Sequence, residues 1–175
     1  MTIVGRTRAY SPLLLGLTGP NTIGRLERAA RAPLDDARHL HATRRPFWAL
    51  YTLGYAVEIV LKVAFLRLCG LGARDDFTNY LSFAKSWAVQ VGVVHKARNL
   101  HDLVFWTELL IREREFMGRP FEGKFAAQLS ARIQQIAKHW REDLRYWPSR
   151  KVVNETEEVS VAVTWIVQRK ATLWG

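Results

Sequence analysis

From residue 46 onward, apolar residues recur at intervals of three and four, the spacing that gathers them on one side of an α-helix. The stripe is cleanest at Phe121, Phe125, Leu129, Ile133, Ile136, Trp140 and Leu144, opposed by Lys124, Gln128, Arg132, Gln135, His139 and Glu142. That pattern predicts a helix over Glu122–Leu144. Earlier, Pro46 suits a first helical turn, and Phe47–Cys69 is apolar on almost every side before Gly70 and Gly72 stop it. Glu58, Lys62 and Arg67 interrupt this segment, and Glu58 and Lys62 stand four apart, a favourable helical pair. A helix apolar nearly all round belongs at the centre of a fold. Two more helices are predicted. Asp75–His95 has Asp75 or Asp76 as cap and Phe77, Leu81, Ala84, Trp87, Ala88, Val91 and Val94 facing inward. Asn99–Met117 has Asn99 as cap and Leu103, Trp106, Leu110 and Ile111 inward.

The last element begins near Asn154, and its signals conflict. Val159-Ser160-Val161-Ala162-Val163-Thr164 alternates like a β-branched strand, whereas Asn154-Glu155-Thr156-Glu157 looks like a capping box. A strand with no partner elsewhere cannot form a sheet, so helix is the expectation. The fold class is therefore all-α, a compact bundle of four to five helices.

Residues 1–45 have a different texture. Gly16, Gly19, Pro20 and Gly24 break them into short pieces, with brief helices expected around Thr22–Arg31 and Leu34–Thr43. Eight arginines (Arg6, Arg8, Arg25, Arg28, Arg31, Arg38, Arg44 and Arg45) face Glu27, Asp35 and Asp36, a net of +5, half of the chain's +10. The division expected is a basic N-terminal extension, 1–45, and a helical domain, 46–175. The extension packs on the body or reaches toward a partner.

Such a charge excess points to a polyanionic or acidic partner, and arginine, which outnumbers lysine here, matches phosphate with two parallel donors. At 175 residues the chain buries about two thirds of its unfolded surface without needing a staple. Its single cysteine, Cys69, excludes an internal disulfide framework and fits a reducing, cytoplasmic setting. There is no Cys/His cluster, so neither a metal nor a cofactor is expected. A P-loop, GxGxxG, HExxH or GxSxG motif is also missing. The longest uncharged run of the apolar helix, Pro46–Val57, has 12 residues, short of the ~20 that span a bilayer, and no membrane partner is expected.

Three segments in order carry a family likeness. Tyr55-Ala56-Val57-Glu58-Ile59-Val60-Leu61-Lys62-Val63-Ala64-Phe65-Leu66 resembles the signature helix of HEPN domains, with its glutamate and lysine four apart in an apolar helix ending in glycine. Asn99-Leu100-His101-Asp102-Leu103 looks like the opening of the corresponding later helix, and Leu144-Arg145-Tyr146-Trp147-Pro148 like the turn before the final one, often acidic at its start as at Glu155, Glu157 and Glu158. The likeness covers about residues 46–172 and leaves the extension aside. It implies a helical bundle, often dimeric, that binds RNA or nucleotide, works beside a small nucleotidyltransferase or within antiviral and toxin–antitoxin systems, and in its catalytic members cleaves RNA without metal through an arginine and a histidine with four to six residues between them.

Arg132 and His139, with six residues between them, satisfy that spacing. Seven steps bring a helix back to within about 20°, so the two share a face with Gln128 and Gln135. They are the catalytic candidates, weighed against a merely solvated face. Lys62, His101, Arg145 and Tyr146 are candidates for a nucleotide or RNA contact, weighed for Glu58 and Lys62 against a buried ion pair, within one helix or reaching Arg145. Arg38, Arg44 and Arg45, beside His39 and His41, are candidates for a phosphate-contacting arm. Trp48, Trp87, Trp106 and Trp140 are expected in the core; Trp147, Trp165 and Trp174 flank basic residues and could stack on bases. Two function classes follow. One is an RNA- or nucleotide-binding protein, with a metal-independent endoribonuclease as its enzymatic form, acting as a homodimer or in a hetero-complex. The other is a non-catalytic helical subunit docking into a larger protein or ribonucleoprotein.

Overall fold

The computed structural model describes residues 21–94, 100–146 and 152–175, and all their side chains except those of Leu81, Ser82 and Arg145. Within them lie eight α-helices: α1 (Ile23–Ala29), α2 (Ala32–Ala42), α3 (Pro46–Leu68), α4 (Thr78–Gln90), α5 (Leu103–Phe116), α6 (Phe125–His139), α7 (Val153–Gln168) and α8 (Lys170–Trp174). A 3₁₀ turn, Glu142–Tyr146, joins α6 toward α7. The all-α expectation holds. The helix count exceeds four to five because the extension contributes α1 and α2, and because the chain breaks at Arg169 before α8.

α3 is the axle. Its apolar side chains, from Phe47 to Leu66, are buried on successive turns, and α1, α2, α5, α7 and α8 all pack against it. By length and composition this helix could cross a membrane, but 78% of its most apolar window is covered by the rest of the fold. α6 closes the bundle between α5 and α7. The described part of the extension lies on the body: α2 packs along α3, and Glu27 of α1 holds the Arg67 guanidinium. That contact raises the Arg67 pKa further, chiefly through the hydrogen bond that Arg67 donates to Glu27.

Several boundaries move for identifiable reasons. α5 starts at Leu103 because Asp102 is its cap, its Oδ1 accepting from the backbone N–H groups of Val104 and Phe105, both at 3.1 Å. Asn99, His95 and Arg98 lie outside the described residues. α4 begins late, at Thr78, because the two aspartates shape the preceding turn: Asp75 accepts from Gly72 N–H at 2.7 Å and Asp76 from Thr78 N–H at 2.8 Å. It ends before Gly92, whose φ of +76° stops it, so Val94, expected inward, is 80% exposed. α6 ends at His139, where Trp140 swings to extended backbone (φ −117°, ψ 134°). α7 is helical as expected, but Asn154 is inside it and caps nothing; Thr156 Oγ1 instead donates to the carbonyls of Val152 and Pro46, tying α7 to the start of α3. Of the four tryptophans expected in the core, Trp106 and Trp140 are buried and Trp87 half-buried, whereas Trp48 is 38% exposed. Trp48 sits in the first turn of α3, beyond the reach of its neighbours except edge-on rings of Phe47 and Tyr51.

Cys69 follows α3, where burial and the nearby Glu113 carboxylate push its thiol up to about 12. Thiolate is the nucleophile, so at pH 8 alkylation by iodoacetamide is expected to run roughly a thousandfold slower than for a free cysteine. Mass spectrometry of a native time course, with a urea-unfolded control at full rate, checks it. Equal rates in both would show the thiol is not suppressed.

Candidate functional site

The Glu58–Lys62 pair forms as the spacing predicts. Lys62 Nζ donates to Glu58 Oε1 at 2.6 Å, with the glutamate 3% and the lysine 8% exposed. A second partner arrives from 43 residues away: His101 Nδ1 lies 3.0 Å from both Glu58 oxygens. Asp102 capping sets this up, because it fixes where the turn before α5 enters the bundle. Lys62 also lies 5.6 Å above the Trp106 ring. Tyr55, one turn before Glu58, meets both His101 and Trp140 edge-on, at 6.1 and 5.8 Å between centroids. A carboxylate facing Nδ1 holds the imidazole in the tautomer that donates from Nδ1. Lys62 is thus engaged by Glu58 and screened from solvent, while His101 stays partly open, its side chain 37% exposed.

The structure brings together Glu58, Lys62 and His101, three residues carrying the family likeness, but not the whole candidate set. Arg145 and Tyr146 belong to the 3₁₀ turn, which rests on α3. Tyr146 is 74% exposed; the Arg145 side chain, and with it the expected link to Glu58, lies outside the described residues, as does Trp147.

Arg132 and His139 share one side of α6, both half-buried. Arg132 donates to Gln135 at 3.2 Å, a partner on the face predicted for it. His139 turns into the α6–α7 seam, Nε2 standing 3.4 Å from Glu158 Oε2. That nitrogen is buried and makes no hydrogen bond of good geometry. In this arrangement the nitrogen presents no surface to a substrate.

The arm candidates sit differently. Arg38, Arg44 and Arg45 are exposed, as are His39 and His41. Arg38 makes a surface pair with Asp35 at 3.1 Å, both side chains more than two thirds exposed, an interaction worth little in water. Arg44 has a φ of +58°, unusual for a side chain with a Cβ. Beside them, α2 and α7 flank a cleft of about 220 Å³ over α3. Arg38 and His41 line one wall and Thr156, Ser160 and Thr164 the other, with Leu34, Ala37, Ala49 and Leu53 also lining it. The hydroxyls recur every fourth residue on α7, which places them in a row. Sequence reading singled out Arg38 but missed these hydroxyls, because their pattern is also that of a polar helix face.

At the other end of the bundle, Trp165 and Trp174 each carry a cation over the ring, Arg169 at 4.5 Å and Lys170 at 5.5 Å. Among the described residues, no group of three or more His, Cys, Asp or Glu side chains is placed to hold a metal ion. No family model matches the chain, and neither the curated proteins nor the solved structures compared with it give a significant match.

Proposed function

We propose that this chain is a HEPN-like RNA- or nucleotide-binding protein whose phosphate contact is the cleft between α2 and α7. The observation that supports this reading most is the pairing of Arg38 and His41 with the facing Ser160 and Thr164 around a space of about 220 Å³, whose wall Thr156 completes with its hydroxyl already given to the Val152 and Pro46 carbonyls. Arginine forks and hydroxyls are the groups that hold phosphate oxygens. Arg44 and Arg45, exposed just beyond the end of α2, extend the positive surface. Binding, not cleavage, is the form adopted, because His139 Nε2 is buried against Glu158.

The test is the salt dependence of binding to a labelled single-stranded RNA, followed by anisotropy. Each phosphate contact on a single strand contributes about 0.7 to the slope of log K against log salt. Replacing Arg38, Arg44 and Arg45 together by alanine is therefore expected to flatten the slope by about 2, three contacts at 0.7 each. Salt-insensitive binding, an unchanged slope, or no RNA affinity in the parent protein would overturn the proposal, and the last would leave a protein-docking subunit as the better reading. The same protein incubated with RNA in chelator tests the enzymatic form. Cleavage lost in both Arg132→Ala and His139→Ala would assign it to that pair.

A further inference from the structure

The connection between α5 and α6, Met117–Lys124, turns back sharply through Gly118 (φ +69°) and Gly123 (φ +54°), conformations that favour glycine. It lays Phe121 beneath the last turn of α5. There the Arg114 guanidinium sits 4.4 Å from the Phe121 ring centroid, and its Nε donates to the Arg119 carbonyl at 3.1 Å. Phe121 meets Phe125 at 4.9 Å, Phe125 stacks on Trp165 at 5.4 Å, and Arg169 covers Trp165. The result is a run of three aromatic rings with a guanidinium at each end. Beside it opens a groove of about 660 Å³ lined by Arg114, Arg119, Pro120, Phe121, Glu122, Phe125 and Thr172.

Two observations argue that the groove is more than a solvated helix end. The glycine cap of α5, with Gly118 N–H on the Glu115 carbonyl at 3.0 Å and Arg119 N–H on the Arg114 carbonyl at 2.8 Å, brings the two arginines together but supplies no counter-charge. Neither arginine has an acidic partner within ion-pair distance among the described residues, Glu122 included. Burial holds Arg114 below its ordinary pKa, and the Arg119 charge lowers it further. Two like charges held close, one of them partly desolvated, are relieved by an anion. The groove's size falls within the range of about 300–1,000 Å³ typical of small-molecule sites, room for much more than an inorganic phosphate. Phe121 and Phe125 give it an aromatic wall beside Pro120, Glu122 and Thr172, and the fixed Arg114 plane is itself a stacking surface.

We propose that this groove binds a nucleoside phosphate unit, its phosphate on Arg114 and Arg119 and its base against the Arg114–Phe121–Phe125 face. Glu122 and Thr172 are the groups in reach of ribose hydroxyls. The site shares no residue with the α2–α7 cleft, so it stands or falls separately from the reading above. A free nucleotide and one unit of a single strand present the same chemistry.

Calorimetric titration of the full chain separates them, using adenosine 5′-monophosphate, inorganic phosphate, adenosine and a short oligoadenylate. The Arg38→Ala/Arg44→Ala/Arg45→Ala protein serves as a parallel host in which the cleft is disabled. Expected is binding of the monophosphate or the oligonucleotide at least tenfold tighter than phosphate or adenosine, in both hosts. Arg119→Ala, at an exposed position, is expected to weaken it at least tenfold with the melting curve unchanged, and Phe121→Leu to weaken it while phosphate binding persists. Equal affinity for mononucleotide and oligonucleotide identifies a free nucleotide site; binding of the oligonucleotide alone identifies a strand contact. The proposal is overturned if neither ligand binds, if phosphate binds as tightly as the nucleotide, or if Arg119→Ala and Phe121→Leu leave affinity as it was.

Discussion

Gly54→Ala is expected to destabilise the protein by about 3 kcal/mol, at the upper end of overpacking costs. The sign is the informative part, since alanine in an exposed helix interior is about 1 kcal/mol better than glycine. Gly54 lies in mid-α3, and a Cβ built there would fall 2.2 Å from three atoms of the Trp140 ring. No real contact is that short, so the indole must leave. It has little freedom to do so: Trp140 is 3% exposed, its Nε1 donates to the Tyr51 carbonyl at 2.9 Å, and its ring meets Tyr55 edge-on. Moving it loses that hydrogen bond, worth about 1 kcal/mol, and leaves the space beside α3 poorly filled. Urea denaturation of parent and variant measures the difference. A variant as stable as the parent would refute the close approach. A cycle with Trp140→Leu adds a second check, because relieving the clash should make the two losses markedly less than additive.

Glu58→Ala is expected to cost about 3–5 kcal/mol, the range for removing one member of a buried ion pair. The reason is what remains. Lys62, 8% exposed, would keep an ammonium facing Trp106 with its carboxylate gone, and His101 would lose the contact to both oxygens. The loss should therefore be reversible by removing the stranded charge. Glu58→Ala combined with Lys62→Met is expected to recover most of the stability, since apolar replacement of a whole buried pair is often neutral. Thermal and urea melts of the two proteins decide it. If the double variant is as unstable as Glu58→Ala, the stranded ammonium is not the source of the loss.

These two sites show how unevenly the fold was legible in the sequence. Glu58 and Lys62 announce themselves, since two charges four apart in an apolar helix must pair or be expelled. His101 does not, because its approach to Glu58 joins residues far apart in sequence. Trp140 was rightly placed in the core but on a helix that ends one residue earlier; its stripe spacing continues while its backbone does not. Asn99 reads as the cap of α5 from sequence, whereas Asp102, three residues on, takes that role. The candidate sites follow the same rule. Arg38 was visible as part of a basic run, whereas the row Thr156, Ser160, Thr164 gains meaning only from the helix opposite. Trp165 was marked by its basic neighbour, but Phe121 and Phe125 read as core positions and nothing in the pattern set Arg114 apart; the loop between α5 and α6 folds them together.

The covering of α3 has a consequence for how the chain is made. α1 and α2, which precede α3, coat only part of it; α5, α7 and α8 complete the coat and come later, α7 starting at Val153. A growing polypeptide therefore carries an almost wholly apolar helix, covered only in part by α1 and α2, until α5, α7 and α8 have been made. Non-local contacts of this kind slow folding, and the uncovered surface invites aggregation. Truncation before α7 should yield insoluble protein rather than a smaller folded unit, and the helix itself is the stretch on which a chaperone would act while the ribosome finishes the last turns.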